Sequence, residues 1–458
     1  MTDNEKIFQR EAQRIAFDLK HRKTIKFNIS KYDAAVEKGK ARYTNLSLAK
    51  EKASVIKDGV LQNLDQYLIR FEENITRNGA KVIWARDAYD AIAQIALIVK
   101  LDKVKLIVKS KSMTTEEIEF NSSLATINIE SVETDLGEYI VQLAGEKPYH
   151  IVTPAMHKSK EDVARLFNEK FGTPVNTTPE ELTDFVRRLL REKYQAADVG
   201  VTGANFLVAD IGAVSVTENE GNALMSTSFP RTHIVIAGIE KIIPSLNDLG
   251  LFIPLLAVHG TGQQISAYNT LFTGPKKPGE QDGPEKMYVI LLDNGRTDLF
   301  GLDDQYKALK CIRCGACLNN CPVYRNIGGY TYASTYSGPI GSVITPHLLG
   351  MKENKHLSFA SSLCGKCSEG CPVKIDLHRL LLYNRRDAVN AGFSSAPEKM
   401  AMKGFRTVMM NRKFMNAGTA GFRNTVAKLT GKLLWGQERE LPMFTCSFNK
   451  IWKKRAKT

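Results

Sequence analysis

Seven of the eight cysteines in this 458-residue chain fall in two short runs, and each run closes on Cys-Pro. The first is Cys311-x2-Cys314-x2-Cys317-x3-Cys321-Pro322. Thiolates at steps of three line one tight loop and can hold three irons of a [4Fe–4S] cube. The fourth thiolate, displaced by an extra residue and turned by the proline, points away to a second cube. The second run is Cys364-x2-Cys367-x3-Cys371-Pro372, and matching it from its Cys-Pro end leaves Ser361 at the first position. Crossed ligation then assigns Cys311, Cys314, Cys317 and Cys371 to one cluster, and Cys321, Cys364 and Cys367 to the other.

The first cluster is thereby a [4Fe–4S] cube, while the second lacks one thiolate. The Ser361 hydroxyl, water, a partner's ligand, the remote Cys446 and an absent fourth iron, as in [3Fe–4S], all stand open. Structural zinc asks for two Cys-x2-Cys pairs and four tetrahedral ligands, which seven cysteines with two Cys-Pro closures do not match. A disulfide framework is disfavoured because these spacings suit thiolate ligation and nothing marks the chain for export. Around the runs, Ile312, Leu318, Val323, Leu363 and Val373 suit an apolar cover, and Lys310, Arg313, Lys366 and Lys374 would offset cluster charge unless they are ordinary surface lysines and arginines. Tyr330, Tyr332 and Tyr336 between the runs read as packed or partner-facing rings rather than electron relays.

These ligands need a body to hold them, and 43% hydrophobic content over this length allows about three domains. Residues 1–70 have apolar positions such as Ile7, Ala12, Ile15 and Leu19 at helical spacing within a charge-dense stretch, which predicts an exposed helical arm packed on the main domain or on a second subunit. Residues 71–298 alternate short β-branched runs with helical stretches, the pattern of an α/β domain with a largely parallel sheet. Strands are predicted at 81–85, 104–108, 149–152, 206–209, 213–217, 233–237 and 287–292. Helices are predicted at 88–100, 160–170 and 179–194, the last entered through Thr178-Pro179-Glu180-Glu181. Residues 299–385 carry the cysteine runs, with 325–359 read as a long loop followed by a short helix ending near Gly350, and 376–386 as a helix docking the insert. Residues 386–458 form a basic helical C-terminal region.

Four loop stretches of the α/β domain are candidates for chemistry. Gly200–Asn205 reads as a glycine turn between helix and strand, and Glu218–Asn222 follows the next strand; both suit turn-shaping as well as binding. His259–Gln263 and Lys109-Ser-Lys111-Ser lack a P-loop Lys-Ser/Thr or a full Gly-x-Gly-x-x-Gly. No Ser-His-Asp order and no His-x3-His pair points to a hydrolase or a catalytic zinc.

The net charge of +14 is uneven: from Arg385 to Thr458 sixteen Lys or Arg face four Asp or Glu. Such a tail suits an acidic partner, a membrane face or nucleic acid, or simply a solvated helical face. Met409, Met410, Phe414 and Met415, with Trp435 and Trp452, suit docking on a protein partner. No segment is apolar over the ~18 residues a span needs, and the charged N-terminus has no apolar run behind it, which predicts a cytoplasmic protein.

Gly200–Asp210, Thr217–Asn222, Leu271–Pro275, Cys311–Pro322 and Cys364–Pro372 together resemble the lactate utilisation protein B family of iron–sulfur proteins. The resemblance implies an N-terminal lactate-utilisation domain similar to the NagB/RpiA/CoA-transferase group, a helical ferredoxin-like dicluster domain and a short helical C-terminal region. It further implies work with a cysteine-rich subunit and a second lactate-utilisation-domain subunit in oxidising L-lactate to pyruvate. Lactate gives two electrons and each cluster passes one, so a cluster pair suits a relay. No flavin or nicotinamide fingerprint is present to take a hydride. Service to another 2-hydroxy acid dehydrogenase is one alternative. An iron–sulfur sensor using the basic tail on nucleic acid is another, though no nucleic-acid-binding signature supports it.

Overall fold

Valine- and isoleucine-rich strands build the centre of the chain. The computed structural model describes residues 2–302, 304–434, 443–446 and 448–455. Its strands are β1 (Lys81–Ala85), β2 (Leu106–Lys109), β3 (Glu130–Glu133), β4 (Val199–Thr202), β5 (Phe206–Val208), β6 (Ala213–Glu218), β7 (Thr232–Gly238), β8 (Ile242–Ile243), β9 (Tyr268–Phe272) and β10 (Lys286–Leu292). Six of them form an all-parallel sheet in the order β1-β10-β7-β4-β2-β3. Every residue of β4 and β7 is buried, as a sheet covered on both faces requires. Ile234, Ile236, Val199 and Val201 pack with Ile95 and Ile98 of helix Ala88–Leu101. Val235, Ala237, Val289 and Leu291 pack on the opposite face with Leu68 and Phe71 of helix Leu64–Arg77.

From β2 the chain steps outward to β3, then returns to the other side of β2 as β4 and continues through β7 to β10. The direction of winding therefore reverses between β2 and β4, and a parallel sheet opens a crevice at such a point, outside the carboxyl ends of its strands. A smaller mixed sheet, β8-β5-β6-β9, lies in the same α/β region.

Four helices, Asp3–Phe17, Leu19–Lys40, Leu46–Gln62 and Leu64–Arg77, make up the N-terminal region. They pack on the main body, and more deeply than their charge density suggests. Ile25 and Ile29 are each 1% exposed and share one core with Phe206 and Leu255 of the α/β region and with Cys314, Cys317 and Cys321. Phe8 stacks edge-on against Tyr332, and Arg325 pairs with Asp33 at 2.7 Å. Most of their charged residues stay exposed while the apolar positions turn inward, and Lys57 is an exception at 1% exposure.

Three local expectations are corrected. Residues 149–152 are not a strand: His150 Nδ1 accepts from the amides of Val152 and Thr153 at 3.1 and 3.3 Å, and the Tyr149 carbonyl accepts from Tyr324 Oη at 3.0 Å. Those bonds use backbone groups that a ladder would need. Gly200 lies inside β4 rather than in a turn, which starts only at Gly203. Its Cβ, if present, would lie 1.8 Å from the Ser226 carbonyl, so only glycine lets helix Asn222–Ser228 pack against the strand. Residues 325–359 are more helical than expected: Gly338–Leu348 is the short helix expected to end near Gly350, but a second helix, Met351–Phe359, follows it. The remaining predicted strands and helices of the α/β domain form within two residues of their predicted ends, including helix Pro179–Ala196 with its Thr178–Glu181 capping box, and the helix predicted at 376–386 forms as Leu377–Asn390.

Met1–Asn390 forms one compact unit and Ala391–Thr458 a second. The second unit is helical, and its helix Ala396–Met410 starts in a Ser395–Glu398 capping box. Met400, Met402, Phe405, Met409, Met410 and Phe414 are exposed, as is Cys446. Trp435 and the Met415 side chain lie outside the described residues. Among the described residues no helix is long and apolar enough to cross a membrane.

Candidate metal centre and the adjoining cleft

The two cysteine loops repeat one backbone conformation. In the first, Arg313 and Gly315 take left-handed φ values of 59° and 79°; in the second, Leu363 and Gly365 take 54° and 80°. The Arg313 amide donates to Cys311 Sγ at 3.4 Å, and the Leu363 amide donates to Ser361 Oγ at 3.1 Å. Ser361 thus holds in its loop the position that Cys311 holds in the other.

Cys311, Cys314, Cys317 and Cys371 line a single cavity, closed largely by apolar side chains such as Ile151, Ile340, Val373 and Ile375. The Ile375 amide donates to Cys371 Sγ at 3.3 Å. Cys321, Cys364 and Cys367 form a second group whose sulfurs act on one another electrostatically. Cys364 is exposed, while Cys321 and Cys367 are buried. Burial, and then repulsion from Cys311, pushes the Cys314 and Cys317 thiols far up, and burial lifts Cys371 and Cys367 to about 11 each. Such thiols stay neutral unless a cation replaces their protons, which is what an iron–sulfur cluster does. Among the described residues no three His, Cys, Asp or Glu side chains converge on one ion-sized point. The thiols surround a volume, and the donor set fits a cluster.

Of the four basic residues expected beside the clusters, Arg313 lies on the wall of this cavity. Lys310 instead bonds Ser54 and Asp58, each at 2.7 Å, Lys374 pairs with Glu51, and Lys366 is exposed. The charges that act on the thiols come largely from elsewhere. Lys57 and Lys241 act on Cys311, and Lys50 acts on Cys371. Burial pushes Lys57 down to about 7 and Lys241 to about 8. No local sequence signal marks these lysines, because each reaches the cysteines only through the tertiary fold.

A cleft of about 730 Å³ opens at the switch point. Ser110, Lys111 and Ser112 after β2, and Gly203, Ala204 and Asn205 after β4, line one side. The loop after β6 contributes Glu218, Glu220 and Asn222, so the loop singled out in the sequence does line a pocket. Arg313 and Cys314 line the cleft as well, which makes its wall continuous with the first cysteine cavity. Glu218 accepts from the amides of Ala223 and Leu224 at 2.6 and 3.0 Å, and Glu220 from that of Leu136 at 3.1 Å. Burial raises both carboxyls above their ordinary range. Of the other loops, Gly260 and Thr261 line the cleft, while Gln263 bonds Asn219 at 3.0 Å. Lys109 is fully buried on Glu133 at 2.8 Å and is therefore no anion cradle.

A LUD domain model matches residues 68–292, and a 4Fe-4S dicluster domain model matches residues 307–375. "Lactate utilization protein B" of Bacillus licheniformis is 44% identical over 408 residues, covering 86% of this chain and 84% of that protein. The "Uncharacterized electron transport protein YkgF" of Escherichia coli is 44% identical over 356 residues, covering 78% and 75%. The crystal structure of a DUF162 family protein from Deinococcus radiodurans covers 50% of this chain and 98% of its own, at 12% identity and a TM-score of 0.29, a likeness too slight to bear on the fold. Two domain models in the order LUD then dicluster, with relatives matched over most of their length, place this iron–sulfur chain in the lactate utilization protein B family.

Proposed function

We propose that this protein is the electron-transfer subunit of a cytoplasmic complex that oxidises L-lactate to pyruvate. Cys311, Cys314, Cys317 and Cys371 hold one [4Fe–4S] cluster; Cys321, Cys364 and Cys367 hold a second, with Ser361 at the fourth position. Lactate loses two electrons and two protons, and each cluster accepts one electron before passing it on. A cysteine-rich subunit and a second lactate-utilisation-domain subunit complete the complex, and the exposed Met400, Phe405 and Met409 of the basic C-terminal unit suit a protein partner.

The observation that carries this reading is Cys371 on one cavity wall with Cys311, Cys314 and Cys317, more than fifty residues away in sequence. That is the exchange of a fourth ligand which a two-cluster fold uses. Around the clusters, this chain's own residues exclude water with Ile151, Ile340 and Val373 and place positive charge through Arg313, Lys57 and Lys241, which favours the reduced state.

The test is iron and sulfide counting with EPR on anaerobically purified protein, before and after dithionite. About eight irons and two coupled reduced signals are expected. A single four-iron centre would sink the relay.

A further inference from the structure

Arg313 carries buried donors that no described residue satisfies. Its side chain is 9% exposed, Nη2 bonds Glu240 at 3.4 Å and the guanidinium stacks over the Tyr336 ring at 4.3 Å, but Nε and Nη1 have no hydrogen-bond partner. Buried donors left without acceptors are costly, and Arg313 sits on the wall shared by the cleft and the first cysteine cavity, where a bound acceptor would relieve that cost. Lys241 lines the same cleft, 8% exposed, and among the described residues its ammonium has no hydrogen-bond acceptor. The other cations of the cleft are engaged: Lys111 with Asp135 at 3.3 Å, Lys158 with Glu146 at 2.8 Å, and Lys31 over the Phe27 ring at 4.2 Å.

We propose that the switch-point cleft is a binding site for an organic carboxylate, held by Arg313 and Lys241 on the wall shared with the first cysteine cavity. The guanidinium and the ammonium together present the donors a carboxylate needs. Elsewhere in the cleft, Glu218, Glu220 and Asp135 repel a polyanion and favour an uncharged hydroxyl- or keto-bearing body. A phosphate ester or nucleotide would set its charges against those carboxyls. The cleft is roomier than a three-carbon acid requires, so ligand size is read from the experiment.

The site rests on the proposed function only in placing its ligand beside the first cluster, and the measurements separate the two. Full-length protein, its iron counted and its clusters tested with dithionite, is titrated anaerobically by calorimetry with L-lactate, pyruvate, succinate, citrate and inorganic phosphate. At least one carboxylate should bind more tightly than phosphate. Lys241→Met, at unchanged iron content, should weaken that binding tenfold or more. Because Lys241→Met could fail to fold, the wild-type EPR spectrum is also recorded with and without the bound acid, and the reduced signal of the first cluster should change shape. No binding by any carboxylate, tighter binding of phosphate, or unchanged affinity in a folded Lys241→Met protein would overturn the site. Reducible clusters without binding reject the site and leave the relay; binding without reducible clusters does the reverse.

Discussion

Glu240 joins the sheet to the first cysteine loop. It follows β7, its carboxylate takes Arg296 Nε at 2.6 Å and Arg313 Nη2 at 3.4 Å, and its carbonyl takes Lys57 Nζ at 2.6 Å. Burial alone would raise this carboxyl, yet Arg296 and then Arg313 hold it down at about 2. Its stabilisation is therefore complete above the unfolded value of ~4.3 and is lost as pH falls towards ~2. Glu240→Gln leaves the buried Arg313 guanidinium without its carboxylate and Arg296 with Glu117 alone, at 2.8 Å, and should cost about 3–5 kcal/mol in urea unfolding, with a flatter acid limb below about pH 4.5. Cys371→Ser should remove roughly half the iron and spare the signal of the Cys321 group, because Cys371 lines the other cavity; loss of the opposite signal would reverse the ligand assignment. The cysteines were legible from sequence because their spacing is local. Glu240, Lys57 and Lys241 were not, since only packing brings them to Cys311 and Arg313.

Elements were legible where the periodic pattern agreed with the tertiary outcome. β7 and β10 announce themselves as continuous apolar runs, and helix Pro179–Ala196 by its cap. β4 was hidden because Gly200 and Thr202 look like turn residues, although the glycine serves the approach of a helix. Tyr149–Val152 has strand composition, but His150 captures two amides of its own segment. Gly200→Ala drives a methyl into the Ser226 carbonyl and should cost about 1–3 kcal/mol by forcing helix Asn222–Ser228 off the sheet. Gly59, inside helix Leu46–Gln62, has nothing within 4 Å of a built Cβ, and Gly59→Ala should instead stabilise by about 0.5–1 kcal/mol. Thermal unfolding of the pair, read side by side, checks both signs.

At the scale of the whole molecule, the N-terminal helices, the α/β region and the cysteine loops share one hydrophobic core. A chain lacking residues 1–44 exposes the surfaces that Ile25, Ile29 and Phe8 cover, and it should lose iron to a chelator at least tenfold faster than the full chain, measured by absorbance under argon. That shared core also bears on how the protein is made. Cys314 and Cys317 are buried in it, and Cys371 arrives from a segment translated some fifty residues later. The first thiolate set is therefore complete only when both cysteine loops have folded together, and until the segment carrying Cys371 has been made the first loop has three of its four thiolates.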